Sequence, residues 1–190
     1  MNLVFIIDPL ESLKVEKDSS IAMMREAITR SHQVFVMHQG DLSYENNSVM
    51  AQVRELKLCK PEDTPSHSHW YNESPKERFP LEQFDVVLMR KDPPFDMEYI
   101  YSTYLLEIAQ LKGVRVINNP RSVRDHNEKL AITKFPDFIP ATLVTRNEDL
   151  IREFLNQHQD IILKPLDGMG GASIFRVHST DHNLSVILEM

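Results

Sequence analysis

The sequence is poor in several residue types whose abundance marks specialised proteins. Its 190 residues include one cysteine, five glycines and eleven prolines. A lone cysteine, Cys59, cannot form a disulfide within the chain, which excludes a disulfide-stapled secreted domain and makes a reducing cytoplasm the expected compartment. Five glycines and eleven prolines are also far too few for a collagen-like or low-complexity chain.

Long hydrophobic runs and basic clusters are missing as well. The apolar runs at 3–7 and 86–89 are far shorter than the ~20 residues that a membrane helix needs. No basic stretch precedes the first run, so we expect neither a membrane partner nor a signal peptide. The net charge is −7, and lysines and arginines occur in runs of two at most. Because such a surface repels phosphate backbones, nucleic acid is not an expected partner.

The remaining composition is that of an ordinary globular chain. Hydrophobic residues make up 42% and charged residues 26%, and the length suffices for one domain or two small lobes. The run at 3–7 predicts a buried strand, Asp18 and the serines after it predict a helix start, and 33–37 predicts a second strand. Strand, helix and strand in this order are typical of an α/β sheet.

Further elements are predicted between residues 43 and 118. Asn46 and Asn47 lie between two alternating stretches and predict a hairpin within 43–58. The proline-rich stretch 60–80 predicts a long loop. Strands are expected at 85–90 and 114–118, with an amphipathic helix over 96–112 between them. The helix residues expected to be buried include Tyr99, Thr103, Leu106 and Leu111.

A division of the chain is expected near residue 120, where Asn119 and Pro120 interrupt the pattern. The elements predicted after it are a helix over 120–134, a strand at 141–145, a helix over 147–157, and strands at 160–165 and 173–177.

A glycine loop between the last two predicted strands carries the clearest chemical signal. Three of the five glycines fall within 168–171, and glycine lets a backbone approach a ligand closely. Successive N–H groups in such a loop can cradle phosphate oxygens, and Lys164 supplies a cation before it. Neither a Walker A loop nor a dinucleotide fingerprint is present. Because 172–177 is rich in strand-forming residues, the loop is expected to fold over phosphates as a flap. The loop alone fits a plain hairpin turn equally well; Lys164-Pro165 and a second cation, Lys129, favour a nucleotide.

These segments resemble the bacterial type of glutathione synthetase, an ATP-grasp ligase. The stretches that carry the resemblance are 18–20, 88–96 (LMRKDPPFD), 127–130 (NEKL), 142–146 and 161–177. The resemblance implies an α/β substrate-binding domain with an open, mostly parallel sheet over 1–120. It further implies the first, incomplete α+β lobe of an ATP-grasp domain over 121–190.

The resemblance also implies a reaction and a set of site residues. Family members ligate γ-glutamylcysteine to glycine, using ATP and Mg²⁺ to form an acyl phosphate. Lys129 and Lys164 are expected to contact ATP phosphates, and Ser19 and Arg90 to face the dipeptide. The residues expected to form the flap are Gly168, Met169, Gly170 and Gly171. No catalytic side chain is assigned, because ATP supplies the activation.

The family chain extends beyond residue 190, so this sequence is expected to be an inactive amino-terminal fragment, with the Mg²⁺ ligands further along. A homo-oligomer is expected. Two alternatives stay open: another ATP-grasp carboxylate–amine ligase, and a nucleotide-binding module without catalysis.

Several residues also have plain structural interpretations. Arg90 fits a charged strand end, and Ser19 fits a helix N-cap. His67 and His69 fit solvated loop residues better than metal ligands, and Cys59 fits a half-buried apolar residue. The residues expected to serve core or interface packing are Met23, Met24, Tyr99, Tyr101 and Tyr104.

Overall fold

The structure, a computed structural model, describes residues 1–59 and 70–189. The chain packs as two compact units, Met1–Asp125 and His126–Met190. The division lies beyond residue 120 because the short helix that begins there packs on the first unit, where Arg124 is ion-paired with Glu107. The α/β class expected from the sequence is confirmed.

The first unit is built on a mixed sheet. Its strands are β1 (Asn2–Ile6), β2 (Gln33–Met37), β3 (Leu42–Glu45), β4 (Ser48–Leu58), β5 (Tyr71–Glu73), β6 (Glu77–Pro80), β7 (Val86–Met89) and β8 (Arg115–Ile117). The order is β3-β4-β2-β1-β7-β8, with β5 and β6 also paired to β4. The centre, β2-β1-β7-β8, is parallel, and β4 pairs antiparallel with each of its neighbours.

Three helices accompany this sheet: α1 (Ser19–Thr29), α2 (Met97–Leu111) and α3 (Pro120–Asp125). The first two begin where the sequence predicts. The Asp18 carboxylate accepts hydrogen bonds from the N–H groups of Ser20 and Ile21, and Asp96 accepts one from the N–H of Tyr99. Each carboxylate thereby satisfies N–H groups that a helix start leaves unpaired.

Hydrophobic clusters lie on both faces of the parallel centre. Phe5 and Ile7 pack with α1 residues such as Met24 on one face, whereas Val4 and Ile6 pack with the cluster that includes Leu106 of α2 on the other. Successive side chains of a strand point to opposite faces. The apolar run 3–7 therefore supplies side chains to both clusters, as expected for a buried parallel strand.

The hairpin prediction is confirmed, whereas the long-loop prediction is contradicted in the part that the structure describes. Asn46 and Asn47 both have positive φ, +48° and +63°, as a two-residue turn between β3 and β4 requires. Within 70–80 the loop prediction is wrong, because the eleven-residue β4 is long enough to pair with both β5 and β6. Residues 60–69, including His67 and His69, lie outside the described residues.

The second unit is small. It contains α4 (Glu148–His158), β9 (Asp160–Leu163), β10 (Phe175–His178) and α5 (Leu184–Glu189). The two strands form an antiparallel pair, and α4 begins after Asn147, whose side chain accepts a hydrogen bond from the N–H of Asp149. The core buries Leu155, Ile161 and Val177. The helix predicted over 147–157 and the strands predicted at 160–165 and 173–177 are confirmed.

Three other predictions are wrong. The helix expected over 120–134 ends at Asp125, because the Asn127 side chain accepts hydrogen bonds from the N–H groups of Lys129 and Leu130 and starts a separate turn. Residues 141–145 form no strand, since no described segment pairs with them. Leu111, expected to be buried, is 84% exposed. No helix of the described residues is long and apolar enough to cross a membrane.

Candidate functional site

The carboxyl edge of the parallel sheet is the first place where predicted site residues meet. The chain leaves β1 through α1 to reach β2 on one side, and later returns to place β7 on the other side of β1. At such a reversal the connections diverge and leave a crevice outside the strand ends, where α/β sheets bind ligands. Asp8 and Arg90 lie just beyond the ends of β1 and β7.

Arg90 joins this edge to the start of α1. Its backbone N–H donates to the Ile6 carbonyl at 2.8 Å, which fixes the residue beside β1. Its guanidinium donates to the Ser19 hydroxyl at 2.8 Å through Nη2 and to the Ser20 hydroxyl at 3.0 Å through Nε. The structure therefore brings the predicted pair Ser19 and Arg90 into direct contact.

The geometry around Arg90 suits an anion. A guanidinium carries five N–H donors, and two of them are used by the described residues. The cation lies at the N-terminus of α1, where the helix dipole also favours negative charge. A guanidinium can bind a carboxylate through two parallel hydrogen bonds.

Asp8 is a residue that the sequence reasoning missed. Its carboxylate lies 2.8 Å from the ammonium of Lys91 and accepts a hydrogen bond of 2.9 Å from the N–H of Asp92. It thus holds the segment that follows Arg90. The available signal was its position directly after the first buried strand, at the edge where parallel sheets place ligands.

Tyr99 supports the same segment from α2. Its hydroxyl donates to the Lys91 carbonyl at 3.1 Å. Burial, and then the negative charges of Asp92 and Asp8, raise the pKa of Tyr99 above its ordinary value. The hydroxyl therefore keeps its proton and remains a donor to the carbonyl throughout the neutral range.

A second cluster of predicted site residues lies in the other unit, around Lys129. The Lys129 ammonium donates to the Gly168 carbonyl at 2.5 Å and is ion-paired with Glu128. Asn127 reinforces the contact, because its side-chain N–H donates to the Leu166 carbonyl at 3.2 Å. The 127–130 turn is thereby tied to the glycine loop.

The glycine loop joins β9 to β10, as a flap requires. Gly170 and Gly171 have φ of +67° and +83°, a region that other residues adopt at a cost in strain. A Cβ on Gly168 would lie 3.2 Å from Cγ of Pro165. Within the described part of the chain, the N–H groups of residues 168–171 donate to no acceptor. Four successive N–H groups without a partner are a fit for phosphate oxygens.

Lys164 lies at the base of this loop, and in the described part of the chain it makes no hydrogen bond to the loop glycines or to Lys129. Ile161 and Leu163 pack on the core side of β9, so the alternation of the strand places Lys164 on the outer side with Ile162. Its side chain is exposed, and no carboxylate of the described residues pairs with it. The charge is therefore available to an anion at the loop.

Comparison with known proteins identifies the family. Residues 1–124 match the model of the prokaryotic glutathione synthetase N-terminal domain, and residues 128–190 match that of the prokaryotic glutathione synthetase ATP-grasp domain. The chain belongs to the prokaryotic glutathione synthetase family.

Individual relatives agree with the family match. The glutathione synthetase of Nitrosomonas europaea is 60% identical over 190 residues, which are the whole of this chain and 58% of the relative. That of Bordetella parapertussis is 49% identical over 189 residues, covering 59% of the relative. The chain thus spans a little under three fifths of the length of these curated relatives.

Solved structures show the fold. D-alanyl-alanine synthetase A from Vibrio cholerae superposes with a TM-score of 0.55 at 15% identity, over 99% of this chain and 54% of that one. The ATP-grasp ligase PsnB, solved with Mg and ADP, superposes with a TM-score of 0.51 at 14% identity. The superposition covers 99% of this chain and 62% of PsnB. The ATP-grasp ligase fold expected from the sequence is confirmed for the matched part.

Metal ligands are a separate question for this member of the glutathione synthetase family. Among residues 1–59 and 70–189, no group of three or more His, Cys, Asp or Glu side chains is arranged to hold a metal ion. The predicted site residues among them are backbone N–H groups and lysines, which are hydrogen-bond donors and cannot ligate a metal ion.

Proposed function

We propose that the protein to which this chain belongs is a glutathione synthetase. It would join γ-glutamylcysteine to glycine at the expense of ATP and release ADP and phosphate. The observation that carries the proposal is the glycine loop, whose N–H groups at 168–171 have no acceptor among the described residues and whose Gly168 carbonyl accepts from Lys129. The chain that carries this loop matches the family along its length. The lone cysteine favours the cytoplasm as its compartment.

The flap residues would hold the nucleotide. The N–H groups of Gly168, Met169, Gly170 and Gly171 would donate to phosphate oxygens, and Lys129 and Lys164 would neutralise phosphate charge. Phosphoryl transfer needs positioning and positive charge more than a protein nucleophile. Mg²⁺, when bound, would neutralise further phosphate charge.

The carboxyl edge of the sheet would hold the dipeptide. Arg90 and Ser19 would bind one carboxylate of γ-glutamylcysteine. The cysteinyl carboxylate would then attack the γ-phosphorus and release ADP, which leaves an acyl phosphate. The glycine amine would attack its carbonyl carbon, lose a proton and expel phosphate. A closed flap would exclude water, which otherwise hydrolyses the acyl phosphate.

A test on the complete protein separates this proposal from its alternatives. We expect ADP release with γ-glutamylcysteine plus glycine, and none with alanine or glutamate as the only substrates. Lys164→Ala should lower kcat/KM for ATP at least ~10-fold, because a phosphate loses its cation, whereas Lys134→Ala, which removes another exposed lysine of the same unit, should not. ADP release with another acid–amine pair alone would assign a different ligase, and binding of ATP without turnover would assign a non-catalytic module.

A further inference from the structure

Two consecutive cations follow β7, and their charges have different partners. The Arg90 guanidinium donates to two serine hydroxyls of α1, which carry no charge. Among the described residues, no carboxylate forms an ion pair with it. The next residue, Lys91, is ion-paired with the Asp8 carboxylate at 2.8 Å. The charge of Arg90 is therefore free to attract an anion, whereas the charge of Lys91 is neutralised.

The pair of Lys91 and Asp8 is largely shielded from solvent. Their side chains are 18% and 22% exposed. Both groups are also hydrogen-bonded to the backbone of Asp92: the Lys91 ammonium donates to its carbonyl at 2.6 Å, and the Asp8 carboxylate accepts from its N–H at 2.9 Å. Because salt screens a partly buried charge less than an exposed one, the loss of either partner would leave a strong charge beside Arg90.

γ-Glutamylcysteine has two carboxylates, and one of them suits Arg90 better. The cysteinyl carboxylate must offer an oxygen to the γ-phosphorus, whereas a guanidinium that binds a carboxylate in the bidentate way occupies both oxygens. The α-carboxylate of the glutamyl part takes no part in the proposed reaction. It carries an ammonium on the neighbouring carbon, so the group that Arg90 would bind is a zwitterion without net charge.

A second free cation beside Arg90 would change which ligands bind. A zwitterionic α-amino acid group has almost equal attraction and repulsion with a nearby charge, so its binding would change little. A group with a carboxylate alone would be attracted much more strongly. Neutralisation of Lys91 therefore favours the zwitterion over the bare carboxylate.

We propose that Asp8 determines substrate specificity, because it neutralises Lys91 and so makes the crevice select the α-amino acid group of γ-glutamylcysteine over a carboxylate without an ammonium. This inference rests on the proposed function, since it takes γ-glutamylcysteine as the ligand of Arg90. Asp8 acts through Lys91 and is a positioning residue, not a catalytic one.

Kinetics of the complete protein with two acids tests the role of Asp8. The second acid is glutarylcysteine, which keeps both carboxylates of γ-glutamylcysteine and lacks the ammonium. The measured quantity is kcat/KM for γ-glutamylcysteine divided by kcat/KM for glutarylcysteine, from ADP release with glycine and ATP saturating. Asp8→Asn should lower this ratio about 10-fold, because the freed Lys91 attracts the additional negative charge. The asparagine oxygen can still accept from the N–H of Asp92.

Lys91→Gln should shift the same ratio in the opposite direction. Asp8 is then an unpaired anion, which repels glutarylcysteine more than the zwitterion. The double variant Asp8→Asn/Lys91→Gln should return the ratio close to its wild-type value, because both charges are gone. Damage to the fold alone would lower kcat/KM for both acids together and leave the ratio unchanged.

Asp41→Asn is the matched control for these variants. Asp41 also pairs with a lysine, Lys76, and accepts a backbone N–H, but it lies outside the proposed site, so the ratio should not change. An unchanged ratio in Asp8→Asn, or a shift in the same direction in both single variants, would overturn the proposal. No ADP release from γ-glutamylcysteine and glycine in the wild type would instead overturn the proposed function, and the role of Asp8 with it.

Discussion

At the scale of single residues, Arg90 shows how one side chain can link the carboxyl edge of the sheet to the start of a helix. Its position after β7 places it at the carboxyl edge of the sheet, and its guanidinium reaches the hydroxyls of Ser19 and Ser20 on α1. A lysine at this position would keep the charge but lose the planar fork that spans two acceptors.

We therefore expect Arg90→Lys to raise KM for γ-glutamylcysteine about 10-fold in the complete protein and to leave KM for ATP unchanged. Steady-state kinetics with each substrate varied in turn measures both constants. Arg30→Lys, at an exposed arginine paired with Glu26, is the matched control and should change neither. A parallel rise in KM for ATP would contradict the assignment of Arg90 to the dipeptide.

At the scale of elements, local signals in the sequence predict much of the structure. Asp18 and Asn147 cap helices through hydrogen bonds to residues two or three positions ahead, and the Asn46-Asn47 turn needs only two residues with positive φ. These interactions are complete within a few residues, so the sequence around them is sufficient to recognise them.

Elements that depend on distant partners could not be predicted in the same way. Residues 141–145 are rich in strand-forming residues but pair with no described segment. By contrast, β5 and β6 exist because β4 offers hydrogen bonds to both. The same limit applies to the site. The Arg90–Ser19 contact spans 71 residues, and the carboxylate of Asp8 acquires its role only when β1 and β7 become neighbours.

One such long-range contact ties β6 to the turn before β3 and gives a pH-dependent prediction. The Lys76 ammonium contacts the Asp41 carboxylate at 2.5 Å, and the N–H of His38 donates to the same carboxylate at 2.9 Å. Partial burial alone would raise the pKa of Asp41, but these hydrogen bonds outweigh it and lower the pKa below its ordinary value of 3.8. The ionised carboxylate therefore stabilises the fold above that pH, and the stabilisation is lost as the pH falls through the lowered pKa.

Asp41→Ala should accordingly lower the free energy of unfolding by about 1–2 kcal/mol at pH 7. The difference from wild type should remain at pH 5 and begin to shrink below about pH 4, where Asp41 of the unfolded chain takes up its proton. It should shrink further as the pH falls through the lowered pKa of the folded state. Urea titrations at pH 7, 5 and 3 that follow Trp70 emission measure it. Glu16→Ala, at an exposed carboxylate, serves as control. A difference that grows on acidification would show that the ionised Asp41 carboxylate does not stabilise the fold.

At the scale of the whole molecule, the two units differ in how much core they contain. The first unit packs clusters on both faces of its sheet, whereas the second centres its core on Leu155, Ile161 and Val177. The second also leaves large apolar side chains in solvent, Phe138 at 86% exposure among them. A unit of this size has little stability to spare.

Because the second unit has the smaller core, we predict that one core truncation there makes the second unit unfold at a lower urea concentration than the first. Leu155→Ala should lower the free energy of unfolding of that unit by about 2–5 kcal/mol, because Leu155 is almost fully buried. Helix circular dichroism should then fall at a lower urea concentration than the emission of Trp70, the only tryptophan, which is buried in the first unit. Leu106→Ala, the matched truncation in the first unit, should instead shift the Trp70 transition. If Leu155→Ala moved the circular dichroism and the Trp70 emission by the same amount, the two units would unfold in one cooperative transition. That result would contradict the prediction.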